Sequence, residues 1–156
     1  MSSPTTITLK PIGYIKTQAI GSQVRDKTRT AEIVIDPQLQ PALDGITDYS
    51  HIYVLFWMHQ IPQEKTQTLH VHPRGRSDLP LVGVFAARTN LHPNSIGLTL
   101  VELLKVEGNV LTVRGLDAFN DTPVLDIKPY DTWERIDKPK LPQWWLRLEE
   151  EKTKKE

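Results

Sequence analysis

Twelve prolines scattered through 156 residues break most of the stretches that could otherwise wind into long helices, because proline has no backbone N–H and clashes with the preceding turn. The apolar runs between them are short. "ITLKPIGYIKT", "AEIVI", "SHIYVLFWMH", "TLHVH", "LVGVFAA", "IGLTLVELLKV", "NVLTVRGL" and "VLDIKP" are rich in Val, Ile, Leu and Thr and end at Gly, Pro, Asn or Asp, the signature of β-strands. Gly108-Asn109, between "LVELLKVE" and "VLTVRG", suits a two-residue hairpin turn with positive φ. A short helical turn fits "PQLQPALDG". A longer helix fits "PQWWLRLEEEKTKK", where Pro142 suits a helix start and Trp144, Trp145 and Leu148 share a stripe. The expected fold is mainly β: a closed or nearly closed barrel of mostly antiparallel strands, which leaves no exposed edge, with a short C-terminal helix. Residues 1–140 are expected to form the barrel and 141–156 the helix and frayed tail of the same domain.

Charge and cysteine content exclude several function classes. Nineteen basic residues balance nineteen acidic ones, so global charge selects no partner. With no cysteine, disulfides, zinc-thiolate sites and cysteine nucleophiles are ruled out. The opening "MSSPTTITLK" lacks the apolar core of a signal peptide, and "IYVLFWM" is too short to span a bilayer. A cytoplasmic location without membrane contact is expected. No Gly-rich dinucleotide fingerprint is present, which disfavours a Rossmann-type cofactor domain.

One segment departs from the core pattern. In "FAARTNLHPNSIGLTL", Phe85–Ala87 read as the end of a strand and Ile96–Leu104 as the start of another, so "RTNLHPNS" is expected to be a loop joining two core strands. Asn, Pro, Ser and Gly are turn formers whether or not a ligand is bound. Functional loops on β scaffolds nevertheless sit at strand ends, and this one carries Arg88, Asn90, His92 and Asn94.

The wider segment "VGVFAARTNLHPNSIGLTLVELLKVEGNVLTVRGLDAFNDTPVLDIKPY" resembles the signature half of the TsaA-like, or YaeB-like, family, that of tRNA methyltransferase O. "GLDAFNDTPVLDIKPY", Gly115 to Tyr130, is its most specific part. Upstream, "PIGYIKT" and "DYSHIYVLFWMHQ" are similar to the family's opening strand and to its strand ending in a His-Gln pair, in family order from about residue 10 to 131. The resemblance implies a β-barrel methyltransferase that uses S-adenosylmethionine, works as a homodimer with the cofactor near the subunit contact, and N6-methylates N6-threonylcarbamoyladenosine next to the anticodon of tRNA. It carries cofactor positions onto His59, Gln60, Arg88, Arg114, Gly115, Leu116 and Asp117, and a conserved arginine onto Arg25. Where the family commonly has Thr or Ser after "FA", this chain has Ala87. The stretch Thr89–Ser95 lacks two prolines and an arginine of the family loop, and the chain looks like a short form without the C-terminal extension of some relatives.

The residues fit that chemistry independently. Methyl transfer from a sulfonium needs alignment and a dry pocket more than covalent help. An arginine suits the cofactor's carboxylate, a carboxylate suits its sulfonium, and amides suit its adenine; Arg88, Asp117 and the His59-Gln60 pair supply such a set. A urea-like N–H is already acidified, and His59 is the candidate base. For RNA, two basic patches stand out: "RDKTR", with Arg25 and Arg29, and "HVHPRGR", with Arg74 and Arg76, which reads as a mobile basic loop. His92 and Asn94 of the altered loop join them as nucleic-acid candidates. Either patch could equally be a solvated loop. The Trp144-Trp145 pair reads as helix packing or a dimer contact before a base-stacking surface.

Three other functions compete. A barrel that binds S-adenosylmethionine or another adenosine ligand without catalysis would act as a sensor, and a methyltransferase with a different acceptor would explain the altered loop. A metal-dependent reading draws on His70 and His72, two apart on an expected strand, with His59 or His92. Without a defined third ligand, a hydrogen-bonded histidine pair is the plainer expectation.

Overall fold

The computed structural model describes residues 5–156. Eight strands form: β1 (Gly13–Lys16), β2 (Thr30–Ile35), β3 (His51–Trp57), β4 (His70–Val71), β5 (Val82–Gly83), β6 (Ile96–Glu107), β7 (Val110–Arg114) and β8 (Pro123–Pro129). The single α-helix among the described residues, α1 (Gln143–Thr153), follows. Six strands close into a barrel in the order β1-β2-β7-β6-β3-β8, each antiparallel to its neighbours. The described residues divide into two compact units, the barrel unit of residues 5–61 and 94–130 and a second unit of residues 62–93 and 131–156.

Alternation of side chains builds the barrel core. Inward positions carry Ile15, Ile33, Ile52, Val54, Val101, Leu111, Val113 and Val124, all essentially sealed from solvent. Burying each contributes about 1.5–3 kcal/mol. Gly97 is also inward, and a Cβ there would lie 2.2 Å from the Phe56 ring, so the ring packed over this position leaves room only for glycine unless it shifts. The β6–β7 hairpin turns at Gly108-Asn109 as expected, with Gly108 at φ 62°. The outward face of β3 and β6 is apolar as well: Tyr53 pairs with Leu100, Leu55 with Leu98 and Trp57 with Ile96.

Several elements are shorter than their composition suggests. Only Gly13–Lys16 of "ITLKPIGYIKT" is strand; Pro11 cannot donate to a ladder, and Ile7 and Leu9 are exposed. "TLHVH" and "LVGVFAA" shrink to the two-residue strands β4 and β5, which pair only with each other. Pro73 and Pro80 flank them, and with no third strand nothing extends the ladder. Residues Val84–Ala86 wind into a 3-10 turn that leaves Phe85 82% exposed. The loop 88–95 therefore does not join two core strands: it follows a turn of the second unit and leads into β6. "PQLQPALDG" forms a 3-10 helix, Pro37–Leu43, started by the Asp36 carboxylate accepting from the Gln38 N–H at 3.0 Å. Its internal Pro41 removes an α-helical donor. Helix α1 lies in the second unit with residues 62–93, where sequence alone suggests no boundary.

Candidate functional site

Strand direction sorts the candidate residues before any side chain is considered. β1, β3 and β7 run toward one rim of the barrel, and β2, β6 and β8 start from it, as the pairs Lys16↔Glu32, Thr30↔Arg114, Trp57↔Ile96 and Phe56↔Val124 require. Arg25 and Arg29 lie between β1 and β2, His59 and Gln60 follow β3, Asn94 precedes β6, and Arg114–Asp117 lead out of β7. All the candidates of the barrel unit therefore gather at one rim. The opposite rim holds the Gly108-Asn109 turn and the 3-10 segments between β2 and β3.

Cross-links between loops hold this rim in shape. Gly115 N–H donates to the Arg29 carbonyl at 3.1 Å, and Lys27 Nζ reaches the Gly115 carbonyl at 3.1 Å. Thr17 N–H donates to Asn120 Oδ1 at 3.0 Å. The Asp117 carboxylate accepts from the buried Thr99 hydroxyl on one oxygen, and its other oxygen lies 3.6 Å from Lys27 Nζ. Asp117 is thus anchored while part of it stays open to solvent. Leu116 and Ala118 point into the core on either side of it, so the peptide that carries Asp117 is fixed by apolar packing.

The other rim candidates differ in how far they are committed. Arg114 pairs with Glu102 across the β6–β7 ladder at 2.7 Å. Its charge is partly spent on the barrel wall. His59 and Gln60 sit in an exposed turn, anchored by Met58 N–H on the Ser95 carbonyl at 2.7 Å and Ile61 N–H on the Met58 carbonyl at 3.3 Å. Arg25 and Arg29 flank a turn in which Asp26 accepts from the Thr28 hydroxyl and N–H, at 2.7 and 2.9 Å, and both residues are exposed. Those bonds, from the Thr28 side chain first, hold the Asp26 carboxyl below its usual range.

In the second unit, Arg88 follows the 3-10 turn, beyond the buried Ala87. His92 folds back on this turn: its Nε2 donates to the Ala87 carbonyl at 2.9 Å, and its ring lies 5.8 Å from that of Phe85. A carbonyl only accepts, so Nε2 carries the proton and is not available to a nucleic acid. The loop that lacks the family prolines is closed instead by a histidine brace.

The "HVHPRGR" segment is not an open basic loop. Pro73–Gly75 form a 3-10 turn, and His72 Nδ1 donates to the Leu79 carbonyl at 2.8 Å. Arg76 grips Asp78 through Nε and Nη2, at 3.0 and 2.7 Å, and Glu151 of α1 through Nη1 at 2.6 Å. Arg147 completes the cluster, 2.7 Å from Asp78 and 3.1 Å from Glu151. Hydrogen bonding to Asp78 and then Glu151 raises the Arg76 pKa further, and Arg76 in turn holds Asp78 down to about 2 and Glu151 below its usual value. Arg74 stays outside this network and exposed.

His70 and His72 do not form a metal site: β4 ends at Val71, His72 is bonded to a carbonyl, and the described residues hold no group of three metal-ligating side chains. Among the described residues no helix is long and apolar enough to cross a membrane. Trp144 and Trp145 are half-buried on α1 and Leu148 is buried. Sequence reasoning missed Thr99 and Lys27. Thr99 had one signal, a polar residue at an inward position between Gly97 and Val101 in the apolar first half of β6.

Comparison with known proteins identifies the family and the fold. Residues 13–138 match the family described as tRNA-methyltransferase O N-terminal domain. A "Probable S-adenosyl-L-methionine-binding protein" of Methanothermobacter thermautotrophicus is 42% identical over 136 residues, covering 84% of this chain and 93% of that one. An "S-adenosyl-L-methionine-binding protein" of Archaeoglobus fulgidus is 40% identical over 127 residues, covering 78% of this chain and 88% of its own length. The crystal structure of TrmO from Pseudomonas aeruginosa aligns with a TM-score of 0.70 at 28% identity over 87% of this chain. The present chain spans 62% of that protein's length.

Proposed function

The chain belongs to the tRNA-methyltransferase O N-terminal domain family, and from that premise we propose that it is an S-adenosylmethionine-dependent tRNA methyltransferase acting on N6-threonylcarbamoyladenosine. The observation that carries the reading is the gathering of His59, Gln60, Arg25, Arg29 and Arg114–Asp117 at one barrel rim. The residues fit the cofactor by their chemistry. Asp117 is an anchored, partly open carboxylate for a cationic group, and His59 and Gln60 offer hydrogen-bonding side chains on a fixed turn.

Bound there, S-adenosylmethionine supplies an electrophilic methyl group on a sulfonium. The protein's part is alignment. Thr99 and Lys27 hold the Asp117 carboxylate, and Leu116 and Ala118 fix its peptide. His59 takes the N6 proton of the acceptor, whose acidity the neighbouring carbonyl already raises. Arg25 and Arg29 supply phosphate contacts beside the same rim.

A homodimer fits the barrel exterior. Trp57, Ile96, Leu98 and Leu100 are about 40% exposed on the outward face of β3 and β6, and such apolar faces mark association surfaces. Light scattering should give the mass of two chains, and Leu100→Glu should shift it toward one. A monomeric wild type would remove the dimer from the proposal.

The decisive experiment measures labelled methyl transfer from S-adenosylmethionine to tRNA that contains or lacks the threonylcarbamoyl group, with products identified as nucleosides. Label on the modified tRNA alone is the expected outcome. Cofactor binding with no label on either RNA would favour a sensor, the role to which the His92-braced loop would then belong.

A further inference from the structure

We propose that the turn at residues 72–79 presents Arg74 as a phosphate contact for RNA, and that Arg76 is a positioning residue acting through it; this rests on the tRNA reading above. Sequence gives the two arginines equal standing. Structure separates them. Arg76 is engaged by Asp78 and Glu151, and Arg147 balances the second charge of that acidic pair, so the cluster of two arginines and two carboxylates is neutral. Arg74 is exposed and makes no ion pair with any described residue, leaving one uncompensated positive charge at the apex.

The backbone there is unusual. Arg74 adopts φ 56° and ψ 20°, left-handed geometry that side chains other than glycine disfavour, and Gly75 follows at φ 67°. Surrounding restraints impose it: Pro73 is buried, Gly75 N–H donates to the His72 carbonyl at 2.9 Å, Arg76 N–H to Pro73 at 3.1 Å, and Leu79 N–H to Arg76 at 3.1 Å. The Arg76 clamp and the His72–Leu79 bond close the turn below. An exposed guanidinium held on a strained, braced turn is suited to a phosphate oxygen, which it can meet with two parallel N–H donors.

The test compares tRNA affinity, by fluorescence anisotropy over a range of KCl concentrations, for wild type, Arg74→Gly, Arg76→Lys and the double variant. Arg74→Gly suits the left-handed backbone, so its Tm should be unchanged or slightly raised. Its affinity should fall roughly 3–10-fold, and its salt slope should drop by about 0.7–0.9, one phosphate contact. Arg76→Lys keeps the charge but loses the two-pronged grip; it should weaken RNA binding alone and add no further loss in the Arg74→Gly background. Unchanged affinity and slope in Arg74→Gly, with wild type binding tRNA, would overturn this proposal and leave the RNA reading standing. Affinity lost together with Tm would also overturn it, by tracing the effect to folding. Additive losses would overturn the positioning role of Arg76, and wild type that binds no tRNA would remove both readings at once.

Discussion

In the barrel unit, Ile15, Ile33, Ile52, Val54 and Val124 are sealed inside a ring of continuous strand ladders, whereas the second unit has two two-residue strands, a few buried apolar side chains such as Leu79, Val84 and Leu148, and a cluster of four charged groups. The first kind of cohesion comes from removing apolar surface from water, so ions do not screen it and carboxylate titration does not touch it. The second is electrostatic at a solvated surface, where ions screen it and acid neutralises it. The contrast also separates two ways of building a site. The rim residues rest on a rigid scaffold, while Arg74 rests on a turn whose geometry depends on charge.

The strongest challenge to this contrast is a cavity in the barrel. Ile52→Ala should cost about 2–5 kcal/mol in urea unfolding, and the loss should be the same in low and high salt. A salt-dependent loss would break the comparison. The smaller effect belongs to the charged cluster. Asp78 and Glu151 have pKa values lowered by pairing with Arg76, Asp78 to about 2. Their contribution is therefore complete above the ordinary carboxylate range and is lost as pH falls through that range toward 2. Amide exchange in α1, taken relative to the intrinsic exchange rate at each pH, should accelerate on acidification or on Asp78→Asn, while the strands of the barrel keep their protection. Equal acceleration in both units would show that they open together and would dissolve the distinction.

Local chemistry decided much of what could be read from the chain. Runs of Val, Ile and Thr ending at turn residues marked the strands of the barrel, Gly108-Asn109 marked its hairpin, and Pro142 the start of α1, because propensity and turn geometry act within a few residues. The stretch Gly115–Tyr130 carried the family resemblance for the same reason: it is contiguous. The strands expected at "TLHVH" and "LVGVFAA" form but shorten to two residues each, because a strand needs neighbours as well as composition, and β4 and β5 find only each other.

What only the tertiary structure decided are the pairings between distant residues. Thr99 and Lys27 meet Asp117 across 18 and 90 positions, and Arg76 meets Glu151 across 75. In sequence, Arg74 and Arg76 are two like charges in one basic patch; in the fold one is neutralised by a helix at the far end of the chain and the other is left exposed. Composition could place the charges, but which of them meets a partner depends on how strands and turns close in space.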